Sequence, residues 1–187
     1  MSIARQLKRF FTPGLTKILS KAAKRGYRRF LVAWNRGLGD IPLGLFAFVN
    51  RVKQYIPEPE ITFLTRPELE DAFQLLEGVN VIIAPSWKRE DGTPTISGIK
   101  KTIKIMGIDQ KDFDVILNKV DPKGELKDCW GKLIPTLKWK NNYDTLWKNF
   151  DIKCLSGKFI GVHIDTETKK FYGYRKDWPV ENWKMLF

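Results

Sequence analysis

Residues 29–66 read RFLVAWNRGLGDIPLGLFAFVNRVKQYIPEPEITFLTR, and this stretch decides the fold. An apolar run of strand type, Phe30 to Trp34, feeds a short loop, Asn35-Arg36-Gly37-Leu38-Gly39-Asp40. The loop opens a helix that runs toward Tyr55-Ile56-Pro57, and a second strand follows over Ile61 to Leu64. Strand, glycine loop, helix and strand make the βαβ unit of a doubly wound, mainly parallel sheet, whose ligands gather at the carboxyl ends of the strands. The loop holds one acid, Asp40, at the point where a carboxylate can meet a substrate.

The pattern continues outward from that unit. Pro67 to Leu76 predicts a helix, with proline at its start, Glu68, Glu70 and Asp71 in its early turns and Gly78 beyond its end. Val79 to Ala84 predicts a third buried strand. A loop with Trp87, Lys88, Arg89 and an Asp91-Gly92 turn leads to a helix over Thr95 to Met106, stopped at Gly107, and a short strand over Phe113 to Leu117. Together these define a Rossmann-like lobe over residues 29–156. Between Leu126 and Ile152, Trp130, Trp139 and Trp147 alternate with lysines such as Lys127, Lys132 and Lys138. That segment reads either as a crossover helix with solvated lysines or as a platform that stacks bases and holds phosphates.

Size and charge bound the rest. The chain has 187 residues, enough for one substantial core or one domain and the start of another, and 43% of them are hydrophobic. Its formal charge of +12 favours anionic partners: phosphates, acidic membrane surface or nucleic acid. Cys129, Cys154 and the single His163 have no metal-ligand spacing, so no metal is expected and the thiols point to a reducing compartment. Residues 1–28 form a basic amphipathic segment without any acid, broken at Pro13-Gly14. It lacks the cleavage pattern of a secretory signal and suits an anionic membrane surface, a packed helix beside the first strand, or an RNA-binding arm.

Beyond Lys158 a strand, KFIGVH, is followed by a polar loop, Trp178-Pro179 and a helix start over Val180 to Phe187. Residues 157–187 therefore read as the opening of a second lobe, and one strand with a helix start cannot bury a core by itself.

Two groups of residues carry a family likeness. Gly37-Leu38-Gly39-Asp40 after a first strand, a helix ending near Tyr55-Ile56-Pro57, and Glu60-Ile61-Thr62-Phe63-Leu64-Thr65-Arg66 resemble the heptosyltransferase family, the family 9 glycosyltransferases. The strand ending at His163, with Arg175-Lys176-Asp177-Trp178-Pro179 and Trp183, is similar to that family's entry into its donor lobe. The likeness covers about half of the chain and implies a two-lobed GT-B architecture. It also implies an inverting sugar transfer from a nucleotide-sugar donor to a glycan or lipopolysaccharide-core acceptor, without cofactor or essential metal. The place so implied is cytoplasmic, or peripheral at the inner face of the membrane.

On that resemblance Asp40 is the catalytic base, and Arg36, Gly37, Leu38 and Gly39 bind the acceptor. An inverting transfer needs one base beside the acceptor hydroxyl. Backbone amides at the helix start are expected to hold the carboxylate, and the glycines to give a tight turn with room for a sugar. A plain helix cap is the other role open to Asp40. Thr166 and Lys176 are implied donor contacts, with Lys176 neutralising the leaving diphosphate. The loop after His163 departs from the family pattern, because Asp165 and Glu167 would repel a diphosphate. With little second lobe before Phe187, the chain alone is expected to bind donor weakly. The alternative is a catalytically silent acceptor lobe that binds an anionic glycolipid or a partner subunit. A Rossmann dinucleotide site lacks its third glycine here, and no motif supports nucleic acid.

Overall fold

A computed structural model of the chain describes residues 14–121, 136–138 and 144–145. The chain divides into two compact units, Met1–Lys140 and Asn141–Phe187, and the elements below belong to the first. Helix α1 (Leu15–Lys24) precedes strand β1 (Arg29–Trp34). A π-helical turn, Ile41–Leu45, runs into α2 (Phe46–Tyr55), which returns to β2 (Glu60–Thr65). A 3-10 turn, Pro67–Leu69, and the short α3 (Glu70–Phe73) lead to β3 (Val79–Ile83). A 3-10 turn at Arg89–Asp91, α4 (Ile96–Ile105), another turn at Gln110–Asp112 and β4 (Val115–Leu117) complete the set.

The four strands form one parallel sheet in the order β3-β2-β1-β4. Such an all-parallel sheet needs cover on both faces, and after their first residues β1 and β2 are buried at every position rather than at alternate ones, with only Thr62 and Thr65 interrupting the apolar side chains. Successive residues point to opposite faces. Phe30, Val32 and Trp34 of β1 and Ile61 and Phe63 of β2 share a core with α1, α2 and α3. Phe63 lies 4.7 Å from Phe73 and 6.2 Å from Phe48, centroid to centroid. Leu31, Ala33 and Leu64 face the other way, onto Ile99 and Ile103 of α4 and onto Trp87. The helices after β1 and β2 thus cover one face and the helix after β3 the other. The chain changes face between β1 and β4, the switch point at which a doubly wound sheet opens a crevice.

Helix α4 starts and stops as its sequence dictates. Thr95 caps it, its hydroxyl accepting from the Gly98 amide at 3.1 Å. At the other end Gly107 takes φ +75°, and Ile108 N–H reaches back to Ile103 O at 2.9 Å, which satisfies a carbonyl the helix leaves open.

Two expectations change and a third narrows. The helix expected over 67–76 is instead a 3-10 turn and a four-residue α3, with tightened bonds from Leu75 N to Ala72 O and Leu76 N to Phe73 O at its end. Leu69 and Phe73 stay buried, so the apolar spacing needs only this much helix. The strand expected from Phe113 begins at Val115, because Phe113 closes the preceding turn through Gln110 O at 3.2 Å. Asp114 is turned toward the start of β1, where its carboxylate takes the amides of Arg28 and Arg29 at 3.0 and 2.9 Å. Arg29 adds its guanidinium at 2.8 Å, and its side-chain and backbone bonds hold the Asp114 carboxyl well below the usual carboxylate range.

The third outcome narrows the readings left open for the basic N-terminal segment. Leu19 and Ala22 of α1 are buried in the core and Leu15 and Ile18 pack against it, so this part takes the packed-helix role. Lys17, Lys21, Lys24 and Arg25 remain exposed on its outer side. Residues 1–13 lie outside the described residues, as do the tryptophans and most lysines of the 126–152 segment and the second-lobe start at 157–187.

Candidate functional site

The carboxyl ends of β1, β2 and β4 are polar and cationic where the strands themselves are apolar. Trp34 and Thr65 are register partners, so the chains leaving β1 and β2 continue side by side as Asn35-Arg36 and Arg66. Thr65 anchors that junction by donating its hydroxyl to Trp34 O at 2.8 Å.

Asn35, only 3% exposed, is the hub of the site. Its amide nitrogen donates to Lys88 O at 2.7 Å and to Gly92 O at 3.1 Å, pinning the loop after β3. Its oxygen accepts from Arg66 Nη1 at 2.9 Å. Arg66, also buried, donates from the same nitrogen to Arg36 O at 3.2 Å, and its Nε stands 3.4 Å from the exposed Glu68 carboxylate. Burial pulls the Arg66 pKa down from the ordinary arginine value, and the nearby Arg89 cation acts in the same direction against Glu68 and Glu90. An arginine keeps its charge in proteins even so, which makes this a buried cation served by two neutral oxygens and, at the surface, by the Glu68 carboxylate.

Trp34 shapes the loop that follows. Its indole N–H donates to Gly37 O at 3.3 Å, and the Arg36 guanidinium lies 5.5 Å above its ring. Between the ends of β1 and β4 lies a cleft of about 70 Å³, lined by Trp34, Asn35, Arg36, Thr93, Asn118 and Lys119 among others, with no carboxylate among the described residues of its wall. Asn118 steadies one side through a bond to Pro94 O at 2.9 Å. The cleft sits at the switch point that the topology requires.

The structure puts the expected acceptor residues on one loop but treats them unequally. Arg36 lines the cleft; Gly37, Leu38, Gly39 and Asp40 do not. Leu38 is 57% exposed and Gly39 is exposed, so both present themselves to solvent. The loop does turn tightly, Ile41 N–H bonding Leu38 O at 3.0 Å across Gly39 and Asp40, but the turn does not call on the glycines' special backbone freedom. Neither has a positive φ, and a Cβ on Gly39 would meet nothing within 4 Å. What they leave is open space.

Asp40 departs from its expected capping geometry. Its own backbone is already helical (φ −73°, ψ −19°), and its carboxylate takes no helix amide. A cap needs extended backbone at this position, and Pro42 removes one of the amides a cap would use. The helix opens with a π turn instead, Leu45 N–H bonding Asp40 O at 2.9 Å. The half-buried carboxylate folds back over the loop, where a Cβ on Gly37 would lie 3.5 Å from its Oδ2. Among the described residues it has no hydrogen-bond or ion-pair partner.

Thr166, Lys176 and His163 lie outside the described residues. Among the described residues no group of three His, Cys, Asp or Glu side chains could hold a metal ion, and no helix is long and apolar enough to cross a membrane. Asn35, Arg66, Thr93, Asn118 and Lys119 were not singled out from sequence. The signal for most of them was present: Asn35, Arg66 and Asn118 are the first polar or charged residues after the buried ends of β1, β2 and β4. Compared with known proteins, the chain matches no family model, no curated protein and no solved structure.

Proposed function

We propose that this lobe is the acceptor half of an inverting, heptosyltransferase-like glycosyltransferase that moves a sugar from a nucleotide-sugar to a hydroxyl of a glycan or glycolipid. The observation that carries the reading is the Asp40 carboxylate, which no described residue occupies, on the open loop after β1 at the carboxyl edge of a parallel sheet. In the transfer, the acceptor oxygen attacks the anomeric carbon and its proton passes to Asp40. The bond from that carbon to the diphosphate breaks, and the nucleoside diphosphate leaves with the electron pair. A carboxylate engaged as a helix cap would have one oxygen already committed; this one keeps both for the hydroxyl. Leu38 and Gly39 supply an exposed apolar contact and clearance beside it.

Thr166 and Lys176 enter the proposal as donor contacts on the family resemblance. An anionic membrane surface is the proposed setting, which suits the exposed lysines of α1 and a glycolipid acceptor.

The test is nucleoside diphosphate release by the full chain, with a lipopolysaccharide-core or glycolipid acceptor and a panel of nucleotide-sugars raised above ~1 mM to offset the weak donor binding expected of it. Asp40→Asn is expected to fold normally and lose about 10²–10⁴-fold in rate, the usual contribution of a positioned general base. Near-normal turnover by the variant would remove Asp40 from the chemistry. Failure of the wild-type protein to transfer from any donor would remove the enzyme reading.

A further inference from the structure

The cleft between β1 and β4 has a composition that its neighbours in the fold do not explain. A space of about 70 Å³ is several times the ~10–15 Å³ that admits one water, and it corresponds to a group of about five non-hydrogen atoms. Among the described residues two cations, Arg36 and Lys119, belong to its wall, and no acid does. Neither cation has an ion-pair partner among the described residues. Arg36 is positioned by the Trp34 ring, and its carbonyl is fixed by Arg66 behind it, so a third positive charge supports the same corner. Thr93 adds a hydroxyl. Two unpaired cations beside a hydroxyl, in a recess of this size, make a receptor for a tetrahedral oxyanion. Arginine presents the planar fork that matches its oxygens, and lysine a mobile point charge.

We infer that this cleft is a phosphate subsite, and that the acceptor carries a phosphate ester which docks there. The second half of the inference rests on the glycosyltransferase reading; the first does not. Arg36 joins the cleft to the loop that bears Asp40, so an ester seated between Arg36 and Lys119 would hold the attached sugar against that loop. The subsite then selects phosphorylated over neutral acceptors. Arg36 and Lys119 act by binding, not by moving protons.

The experiment is thermal-shift and calorimetric titration of the full chain with inorganic phosphate, at constant ionic strength. Saturable binding is expected, weakened about ten-fold or more in Arg36→Met and in Lys119→Met, the loss that one charge-assisted hydrogen bond implies. Lys104→Met, a change on α4 away from the cleft, should retain it, and so should Asp40→Asn. Non-saturating shifts, or equal weakening in Lys104→Met, would overturn the subsite. A second arm compares a hexose phosphate with the free hexose. Binding of the ester at the same residues supports the acceptor assignment, whereas binding of free phosphate alone overturns that half. Because phosphate affinity is read without turnover, a catalytically silent Asp40 leaves this result standing, and loss of the subsite leaves the Asp40 test intact.

Discussion

Replacing Asn35 by alanine tests whether one buried carboxamide holds the carboxyl edge of the sheet together. The change removes two bonds to the Lys88 and Gly92 carbonyls and one from the Arg66 guanidinium. A neutral hydrogen bond contributes about 0.5–1.5 kcal/mol net, and one to a charged group about 1.5–3 kcal/mol. Summed independently these reach about 2.5–6 kcal/mol. The lower half of that span is the better expectation, because the three bonds form one network and Lys88 lies where water can replace a partner. Leaving Arg66 buried with only the Arg36 carbonyl and a long contact to Glu68 sets the floor. The expected loss is about 3 kcal/mol, or about 6–12 °C in Tm for a chain of this size. Thermal and urea unfolding followed by circular dichroism measure it. Asn35→Asp keeps an oxygen for Arg66 while surrendering both donors, so it should lose less than Asn35→Ala. A stability within about 0.5 kcal/mol of wild type in Asn35→Ala, the range of an ordinary surface change, would refute the network as a stabilising unit.

Other outcomes follow from the same geometry. Asp114→Asn should lower stability at neutral pH and flatten the acid limb. The folded Asp114 carboxyl titrates below its unfolded value, so its contribution is present above about pH 4 and fades as pH falls through the folded value; unfolding midpoints of both proteins from pH 7 to pH 2 should converge. Gly39→Ala should leave Tm nearly unchanged, since its Cβ meets nothing, but should weaken acceptor use in the transfer assay if that space receives the sugar. Charge removal at Lys17, Lys21 and Lys24 should reduce co-sedimentation with anionic vesicles by about 1 kcal/mol per residue at low salt. Substitution to glutamine is the cleaner probe, because deleting residues 1–28 would strip Leu19 and Ala22 from the core and confuse binding with unfolding.

Strands β1 and β2 were legible almost to the residue, because Phe30–Trp34 and Ile61–Leu64 are mainly apolar on both faces and a parallel sheet leaves no other place for such runs. Helix α4 was equally plain, framed by Thr95 and Gly107. The glycines of the Asp40 loop signalled the turn but not its conformation: a sequence reports that a glycine is present, not which φ it adopts, and here an alanine would fit the same backbone. Asn35 and Arg66 were harder to read. Each is an ordinary polar residue on its own strand end, and only the register that pairs Trp34 with Thr65 makes them neighbours. That register has its own physical logic. Slipping β2 by one residue would turn Phe63 out of the core that it shares with Phe48 and Phe73, and would carry Arg66 away from the Asn35 oxygen. A buried guanidinium without an acceptor costs several kcal/mol, so the slipped pairing is penalised twice, once through the aromatic core and once through the cation. The Asn35–Arg66 pair therefore serves the fold before it serves any ligand: it fixes which strand ends meet, and in doing so it sets the corner on which Arg36 and the Asp40 loop are built.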